Sequence, residues 1–274
     1  MGWSSAAGRT RSLDGKSGRL SEQLAAFPLL VWTEAESALV GGPPAVRRRF
    51  FDRGLVLERP ALLAHLGRYE RALGEKRALL AHGGGGRELA AWNELVAREG
   101  ATIAAARAAF VEALAESLTR ALAATALALP AITLRYRPSP AEALVGEAAY
   151  AAALARATAA ESARRQPLVG SHRDEIEILW GGVVARRSAS AGERKAVGLL
   201  LMAALADRLA ASDRRPALLL DDADTELDRH RLERLLAAFT PFPRLVVSSN
   251  RPEVWPASAQ LEAVDVEALA RAAA

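Results

Sequence analysis

The stretch PALLLDDADTELD, Pro216 to Asp228, decides the fold of this chain. Four apolar residues, Ala217 to Leu220, run directly into the adjacent carboxylates Asp221 and Asp222. A short apolar run that ends in acids predicts a buried parallel strand whose carboxyl end opens onto a site. In open α/β sheets, ligands bind at that end of the strands. Two carboxylates there suit a Mg²⁺ ion and a polarised water, as in nucleotide hydrolysis.

The segments on both sides of this strand predict an α/β arrangement. A helix is expected at Ala191–Ala211, a second helix from about Asp228 to Phe239, and then a strand at Leu245–Ser249. A strand, a helix and a strand with short connections are typical of a parallel sheet. Other strands are expected at Phe27–Trp32, Ile132–Tyr136, Glu175–Trp180 and Val183–Arg187, the last two joined by Gly181-Gly182.

The middle of the chain, from Pro60 to about Arg165, has a mainly helical pattern. Apolar residues recur at helical spacing, and the glycine run His82–Gly86 interrupts them. A long amphipathic helix is expected from Leu89 to Leu118, and an alanine-rich helix within Pro140–Arg165. Residues 12–33 are expected to form β-structure and loop, with a hairpin turn at Asp14-Gly15.

Composition excludes several classes of protein. Of the 274 residues, 51% are hydrophobic and 25% are charged, which predicts a globular chain with a sizeable core. Cysteine is absent, which excludes disulfides, cysteine–zinc sites and thiol catalysis and suits a reducing cytoplasm. We expect no secretory signal and no membrane span, since the apolar stretches are too short. The net charge of +4, mostly from arginine, gives mild support for nucleic-acid binding, although a GC-biased codon preference is the favoured explanation.

A second motif, SASAGERK at Ser188–Lys195, opens the Ala191–Ala211 helix. Small residues and glycine at a helix start let backbone N–H groups approach a phosphate, and the helix N-terminus favours the anion. Ser190 is placed to donate its hydroxyl to a γ-phosphate. The alternative is an ordinary serine N-cap. The position shortly before the acidic strand favours the functional interpretation.

The order of these motifs resembles the ABC-type ATPase heads and, more narrowly, the RecF family. The resemblance covers about residues 20–255. It is carried by LVGSHRDE (Leu168–Glu175), ASAGERKA (Ala189–Ala196), PALLLDDADTELD, GGPPAVRRRFFD (Gly41–Asp52) and YERALGEKRALL (Tyr69–Leu80).

The resemblance implies an incomplete ABC-type head, with a partly parallel sheet and flanking helices, plus an inserted helical arm domain. On this pattern residues 1–59 are a remnant of the N-terminal ATPase lobe. Residues 60–165 form the helical arm, and residues 166–274 form the C-terminal lobe with the signature, Walker B and D-loop motifs.

The resemblance also assigns roles to single residues. Asp221 would hold Mg²⁺ and Asp222 would act as the catalytic group that orients or deprotonates water. The signature motif, which contacts the nucleotide of the opposite subunit, would comprise Ser190, Ala191, Gly192 and Glu193. The D-loop, Thr225 to Asp228, would face the partner, and Ser248 and Ser249 would occupy the switch position.

Family membership would imply ATP and Mg²⁺ as cofactors and single-stranded or gapped DNA as a partner. It would also imply an ATP-dependent dimer, recombination mediator proteins as partners, and work in recombinational gap repair and SOS induction. Two interpretations of Arg47, Arg48 and Arg49 stay open: a solvated helix start or a DNA phosphate contact. His172 is expected in a polar cluster that braces a strand.

The chain departs from the family pattern in several places. Glu193 and Arg194 stand where the family usually has glutamines, and Glu34 stands where a proline is common. The Gly15-Lys16-Ser17 segment does not make a Walker A loop, because Thr10 occupies the required glycine position and no apolar strand precedes it. We therefore expect the Walker A region to be missing and ATP binding to be impaired.

Two alternatives follow from these departures. The chain would be a non-catalytic DNA-binding or interaction module that keeps its basic arm. Otherwise it would be a defective fragment of a RecF-like ATPase, with an exposed sheet edge and an apolar face.

Overall fold

The structure is a computed structural model that describes residues 2–4, 8–10, 12–13, 16–212, 214–256, 261–262 and 264, with the backbone alone before residue 18. The helices are α1 (Leu20–Ala26), α2 (Glu34–Gly41), α3 (Pro44–Glu58), α4 (Leu62–Ala81), α5 (Gly86–Thr125), α6 (Glu147–Arg164), α7 (Ala185–Ser188), α8 (Ala191–Ala211) and α9 (Arg229–Leu236). The strands are β1 (Gly2–Ser4), β2 (Gly8–Thr10), β3 (Ser12–Leu13), β4 (Lys16–Ser17), β5 (Leu29–Trp32), β6 (Ile132–Arg137), β7 (Glu175–Trp180), β8 (Val183–Val184), β9 (Ala217–Asp221) and β10 (Leu245–Ser248).

The acidic strand β9 is the centre of a three-stranded parallel sheet, as the sequence predicts. It pairs with β5 on one side and β10 on the other, so that Val31, Leu219 and Val246 lie side by side. Because all three strands run the same way, their carboxyl ends meet at one edge. The acids that follow Leu220 lie at that edge.

Helix α8 covers one face of this sheet. Gly198 on α8 lies so close to Trp32 of β5 that a Cβ there would come within 2.4 Å of the indole ring. The opposite face carries Leu29, Leu219 and Val246, which are 37%, 39% and 61% exposed. Parallel sheets are usually covered on both faces. Among the described residues, this apolar face of the sheet is therefore exposed.

A second sheet, antiparallel, joins β6, β7 and β8. Alternate residues of Glu175–Trp180 are buried, which confirms the strand predicted from their alternation. The prediction of a strand through Arg187 is wrong beyond Val184. Ala185 is fully buried and its carbonyl accepts a hydrogen bond from the Ala189 amide (2.9 Å), so the chain turns into the short helix α7.

The prediction of β-structure and loop over residues 12–33 is also partly wrong, because residues 20–26 form α1. The carboxylate of Glu22 accepts a hydrogen bond from the Arg19 amide (2.8 Å) and so caps this helix. Before it, Ser12–Leu13 pairs with Lys16–Ser17 in an antiparallel ladder. The expected turn residues Asp14 and Gly15 lie outside the described residues.

The 40-residue helix α5 takes part in two hydrophobic cores. Its C-terminal half, including Phe110 and Leu114, packs with α8 in the larger core. Its N-terminal half, including Val96 and Ile103, packs with α4 and α6 in the smaller core. The break predicted at His82–Gly86 separates α4 from α5, and the long amphipathic helix is confirmed. The boundaries of the helical arm domain stay a prediction.

A buried ion pair ties two helices of the smaller core together. Lys76 of α4 and Glu161 of α6 are both fully buried, with Nζ 2.7 Å from the nearer carboxylate oxygen. The other oxygen of Glu161 accepts the Leu168 amide at 2.8 Å, which connects the helices to the loop before β7. In the described part of the chain, no helix is both long and apolar enough to cross a bilayer.

Candidate nucleotide site

The acidic turn, Asp221 to Asp228, follows β9 at the carboxyl edge of the parallel sheet. Ser248, at the end of β10, donates its hydroxyl to Oδ1 of Asp221. The backbone of Ser248 also accepts the Asp222 amide at 3.2 Å. The structure therefore brings together Asp221 and Ser248, which the sequence places 27 residues apart.

Asp222 has a left-handed backbone with φ of 47° and an exposed side chain. Non-glycine residues adopt this region seldom, although aspartate and asparagine are enriched there. The hydroxyl of Thr225 donates to the Asp222 carbonyl (3.0 Å), which closes the turn. The assignment of Asp222 to the attacking water stays a prediction.

Asp224 is a functional candidate that the motif analysis did not single out. It is fully buried, and its Oδ2 accepts a hydrogen bond from the Ser249 hydroxyl at 3.0 Å. Its Oδ1 has no hydrogen-bond partner among the described residues. Ser248 and Ser249 thus each contact one acid of the turn. The only sequence signal for Asp224 is its place two residues after Asp222.

The start of α8 has the geometry of a capped helix. The amide of Glu193 donates to the Ser190 hydroxyl (3.4 Å), and the Ser190 amide donates to the Glu193 carboxylate (2.7 Å). This reciprocal pair is a capping box, so Ser190 is the N-cap of α8. A nucleotide contact of its hydroxyl stays a prediction. The hydrogen bond from the Ser190 backbone is the main cause that lowers the pKa of Glu193. An ionised Glu193 therefore lies where an anion would approach the helix.

Gly192 places the first turn of α8 directly against the acidic turn. A Cβ at Gly192 would lie 2.7 Å from the carbonyl oxygen of Glu226, which leaves no room for a side chain. Asp228 ends the turn and caps α9, since its Oδ1 accepts the Arg231 amide at 2.7 Å. Ala191 is exposed on the first turn of α8. The predicted nucleotide-site residues therefore lie on three adjoining segments: the start of α8, the acidic turn and the end of β10.

The donor set suits a metal ion that arrives with a nucleotide. Among the residues the structure describes, no group of three or more histidine, cysteine, aspartate or glutamate side chains is arranged to hold a metal. Mg²⁺ is usually bound through one or two carboxylates together with substrate phosphates. Asp221, oriented by the Ser248 hydroxyl and exposed, fits that pattern.

Asp174 of the LVGSHRDE motif belongs to a buried polar network. Arg107 of α5 donates to both carboxylate oxygens of Asp52 (2.8 and 2.7 Å) and to Asp174 (2.6 Å). Asp174 is fully buried, and this burial raises the pKa of its carboxyl group. The carboxylate also accepts hydrogen bonds from the Tyr136 hydroxyl and the Ser139 amide. Despite burial, the neighbouring Asp52 and Asp174 raise the pKa of Arg107. The network joins α3, α5, β6 and the loop before β7.

The three arginines at the start of α3 have different surroundings. Arg47 is 5% exposed and pairs with both oxygens of Glu175 (2.8 and 2.9 Å) and with the Gly42 carbonyl. Arg48 donates one bond to the Asp174 carbonyl (2.8 Å), and Arg49 is exposed. Arg47 thus has a structural role, and Arg49 is the most accessible of the three.

His172 lies in the polar cluster that the sequence predicts. Its Nδ1 lies 3.0 Å from the Tyr69 hydroxyl, and its buried Nε2 has no hydrogen-bond partner within the described part of the chain. Burial, helped by the charge of Arg173, lowers the pKa of His172 to about 4. The folded protein therefore holds this imidazole neutral.

We expect His172 to make stability depend on acid. The folded-state pKa of about 4 lies below the ordinary value of 6.5, so the unfolded chain binds the proton more readily between these values. The free energy of unfolding should fall as the pH drops from 6.5 to 4. Urea titrations across this range should show a weaker decline in His172→Gln and the wild-type decline in His82→Gln, which changes an exposed histidine. An unchanged slope in His172→Gln would contradict the assignment.

Comparison with known proteins places the chain in a family. No protein-family model matches it. Three proteins named DNA replication and repair protein RecF are similar to it: 37% identity for Frankia alni, 34% for Streptomyces avermitilis and 32% for Clavibacter michiganensis. The matches cover 80%, 80% and 88% of this chain and 63%, 63% and 68% of the relatives. The chain therefore spans less than two thirds of the length of the first two relatives.

Two solved structures share the fold. They are described as the recombination mediator protein RecF-ATP and RecF-ATPrS in the RecFOR pathway, with TM-scores of 0.77 and 0.76 and 21% identity. Each match covers 90% of this chain and 69% of the other. The α/β head with its parallel sheet and flanking helices is thus confirmed, and the similarity to the Clavibacter protein over two thirds of its length shows that the chain belongs to the RecF family.

Proposed function

We propose that this chain acts in DNA replication and repair by contributing part of an ATP site and by binding gapped or single-stranded DNA in the cytoplasm. The observation that carries the proposal is the contact between the first turn of α8 and the acidic turn, at the carboxyl edge of a parallel sheet. Names of the relatives and of the structural neighbours support the same class of function.

The site supplies two chemically different halves. The acidic turn offers carboxylates to a magnesium–nucleotide, with Asp221 for the ion and Asp222 for the attacking water. When bound, Mg²⁺ would neutralise charge on the phosphates. The start of α8, with Ser190 and Gly192, offers a hydroxyl and backbone N–H groups, and in the ABC-type pattern this half serves the nucleotide of a neighbouring subunit.

The candidate for a phosphate-gripping loop is Gly15-Lys16-Ser17, of which the structure describes Lys16 and Ser17. Lys16 and Ser17 lie in the short strand β4, paired with β3, and α1 does not begin until Leu20. This arrangement differs from a loop that leads directly from a strand into a helix. We infer that the start of α8 works in trans, on ATP bound by another family member in an ATP-dependent dimer.

For DNA, we propose phosphate contacts by Arg48 and Arg49. All three donor nitrogens of Arg47 are already bonded, which leaves it a supporting role. Recombination mediator proteins are proposed as the partners of the assembled complex.

Fluorescence anisotropy on a gapped DNA tests this proposal. In an equimolar mixture with the Frankia relative, Mg²⁺·ATP should tighten DNA binding more than it does for either protein alone. Arg49→Gln should weaken binding and lower the slope of log K against log salt by about 1, whereas Arg120→Gln, on the exposed face of α5, should change little.

The alternatives give other outcomes. DNA binding by this chain that depends on salt, but is the same with and without ATP in the mixture, would favour a non-catalytic binding module. No DNA binding and no effect on the relative would favour a defective fragment. ATP binding by this chain alone that Lys16→Ala abolishes would overturn the trans arrangement.

A further inference from the structure

A buried lysine joins the first turns of α8 to the acidic turn. Lys195 is 5% exposed, and its Nζ donates to the Asp222 carbonyl at 2.7 Å and to the Thr225 hydroxyl. Both acceptors are uncharged oxygens, one of them on the backbone. The lysine therefore fixes the path of the turn and does not neutralise a single acid.

The turn needs such a restraint because of its backbone. Asp222 and Glu226 both have left-handed φ values, 47° and 65°. Strained residues of this kind persist only where the surroundings over-determine them. The start of α8 contacts both, through Lys195 at Asp222 and through Gly192 at the Glu226 carbonyl. Both left-handed residues of the turn are thus contacted by the start of α8.

The charges around Lys195 support a positioning role. Asp222, Asp224 and Glu226 favour its protonated form, whereas burial opposes it and lowers its pKa. On the far side of the turn, Asp224 is fully buried and bonded to Ser249, so the turn is held from β10 as well. The basic side chain of Arg231 lies near this junction, with Nη1 3.2 Å from the position a Cβ on Gly192 would take.

We propose that Lys195 is a positioning residue that locks the start of α8 and the acidic turn into one unit. A shift of the start of α8 on ligand binding at Ser190 would then also move Asp222 and Thr225. The two segments would bind a neighbouring nucleotide as one unit. This inference rests on the proposed function only for that last step. The mechanical link itself follows from the contacts of Lys195.

Hydrogen–deuterium exchange without nucleotide tests the link. In Lys195→Met, the protection factors of the amides in residues 222–227 against exchange should fall at least about tenfold. The reason is that a hydrogen bond from a charged donor shifts an equilibrium constant by more than about a factor of ten. Lys195→Arg, which keeps a charged donor, should restore protection. The matched control is Arg208→Met, which removes the Arg208–Glu58 ion pair near the other end of the same helix.

The pH dependence of amide protection distinguishes a positioning role of the charged lysine from a role in packing alone. It can be measured on the wild type and Lys195→Arg even if Lys195→Met does not fold. Protection of residues 222–227 should decline in the wild type as the pH rises through the lowered pKa of Lys195, and should not decline in Lys195→Arg. Equal loss in Lys195→Met and Arg208→Met would overturn the proposal. A loss of amide protection at alkaline pH that also occurs in Lys195→Arg would overturn it as well.

The functional step has its own readout. Association with the Frankia relative in Mg²⁺·ATP should weaken in Lys195→Met and recover in Lys195→Arg. If the wild type does not associate at all, the proposed function fails while the nucleotide-free exchange still decides the link. If the wild type associates and Lys195→Met does so equally well, the transmission through Lys195 is contradicted.

Discussion

Replacing Arg107 with leucine should lower the free energy of unfolding by about 3–5 kcal/mol, because it leaves buried carboxylates without their cation. Asp174 is fully buried and Asp52 is largely so, and Arg107 donates to both. A leucine fills much of the space but offers no donor. Urea unfolding at neutral pH measures the change, and Arg107→Lys should fall between the wild type and leucine because it loses the two-pronged contact with Asp52.

A matched control lies further along the same helix. Arg120 of α5 pairs with Asp207 across a surface where the two side chains are 59% and 41% exposed. Exposed pairs contribute little, so Arg120→Leu should change stability by less than about 1 kcal/mol. If Arg107→Leu and Arg120→Leu lowered the free energy of unfolding by the same small amount, the buried polar network around Arg107 would not be a main source of stability.

Replacing Ser190 with aspartate should weaken ATP-dependent association by at least about 100-fold, since like charges brought together at an interface cost several kcal/mol. Aspartate caps helices about as well as serine, so α8 should fold normally. The added charge would face the phosphates of the neighbouring nucleotide. Sedimentation or fluorescence titration against the Frankia relative measures the loss.

Two further variants locate the effect. Ser188→Asp adds the same charge to an exposed residue outside the cap and should cost much less. Glu193→Gln removes the carboxylate next to Ser190 and restores the usual family residue, so it should strengthen association. Equal losses in Ser190→Asp and Ser188→Asp would point to net charge, and would contradict a specific contact at Ser190.

Local patterns predicted most of the fold. The acidic strand, the Ala191–Ala211 helix and the helix from Leu89 onward were predictable because each is a long or strongly patterned segment. The helix α2 also has an explicit sequence signal, the Thr33–Glu36 capping box. Residues 20–26 were less predictable, since the Arg19 cap is unusual for a helix start.

The parts that could not be predicted depend on contacts between distant residues. Arg107 meets Asp52 and Asp174 across 55 and 67 positions, and Lys195 meets Asp222 across 27. No periodicity or spacing rule specifies such pairs. The burial of Arg47 was hidden for the same reason, because its partner Glu175 lies 128 residues away. The sequence pattern alone identifies Asp221 and Asp222 as candidate site residues. Only the fold shows that Ser248 and Lys195 bond to them.

Sedimentation velocity of this chain mixed with the Frankia relative tests the central claim most directly. The claim is that the start of α8 completes, in trans, an ATP site on another family member. A mixed complex should form in Mg²⁺·ATP, should be lost without nucleotide, and should be lost in Ser190→Asp but retained in Asp222→Asn, whose asparagine tolerates the left-handed backbone. A complex that forms equally well without nucleotide, or none under any condition, would contradict the account.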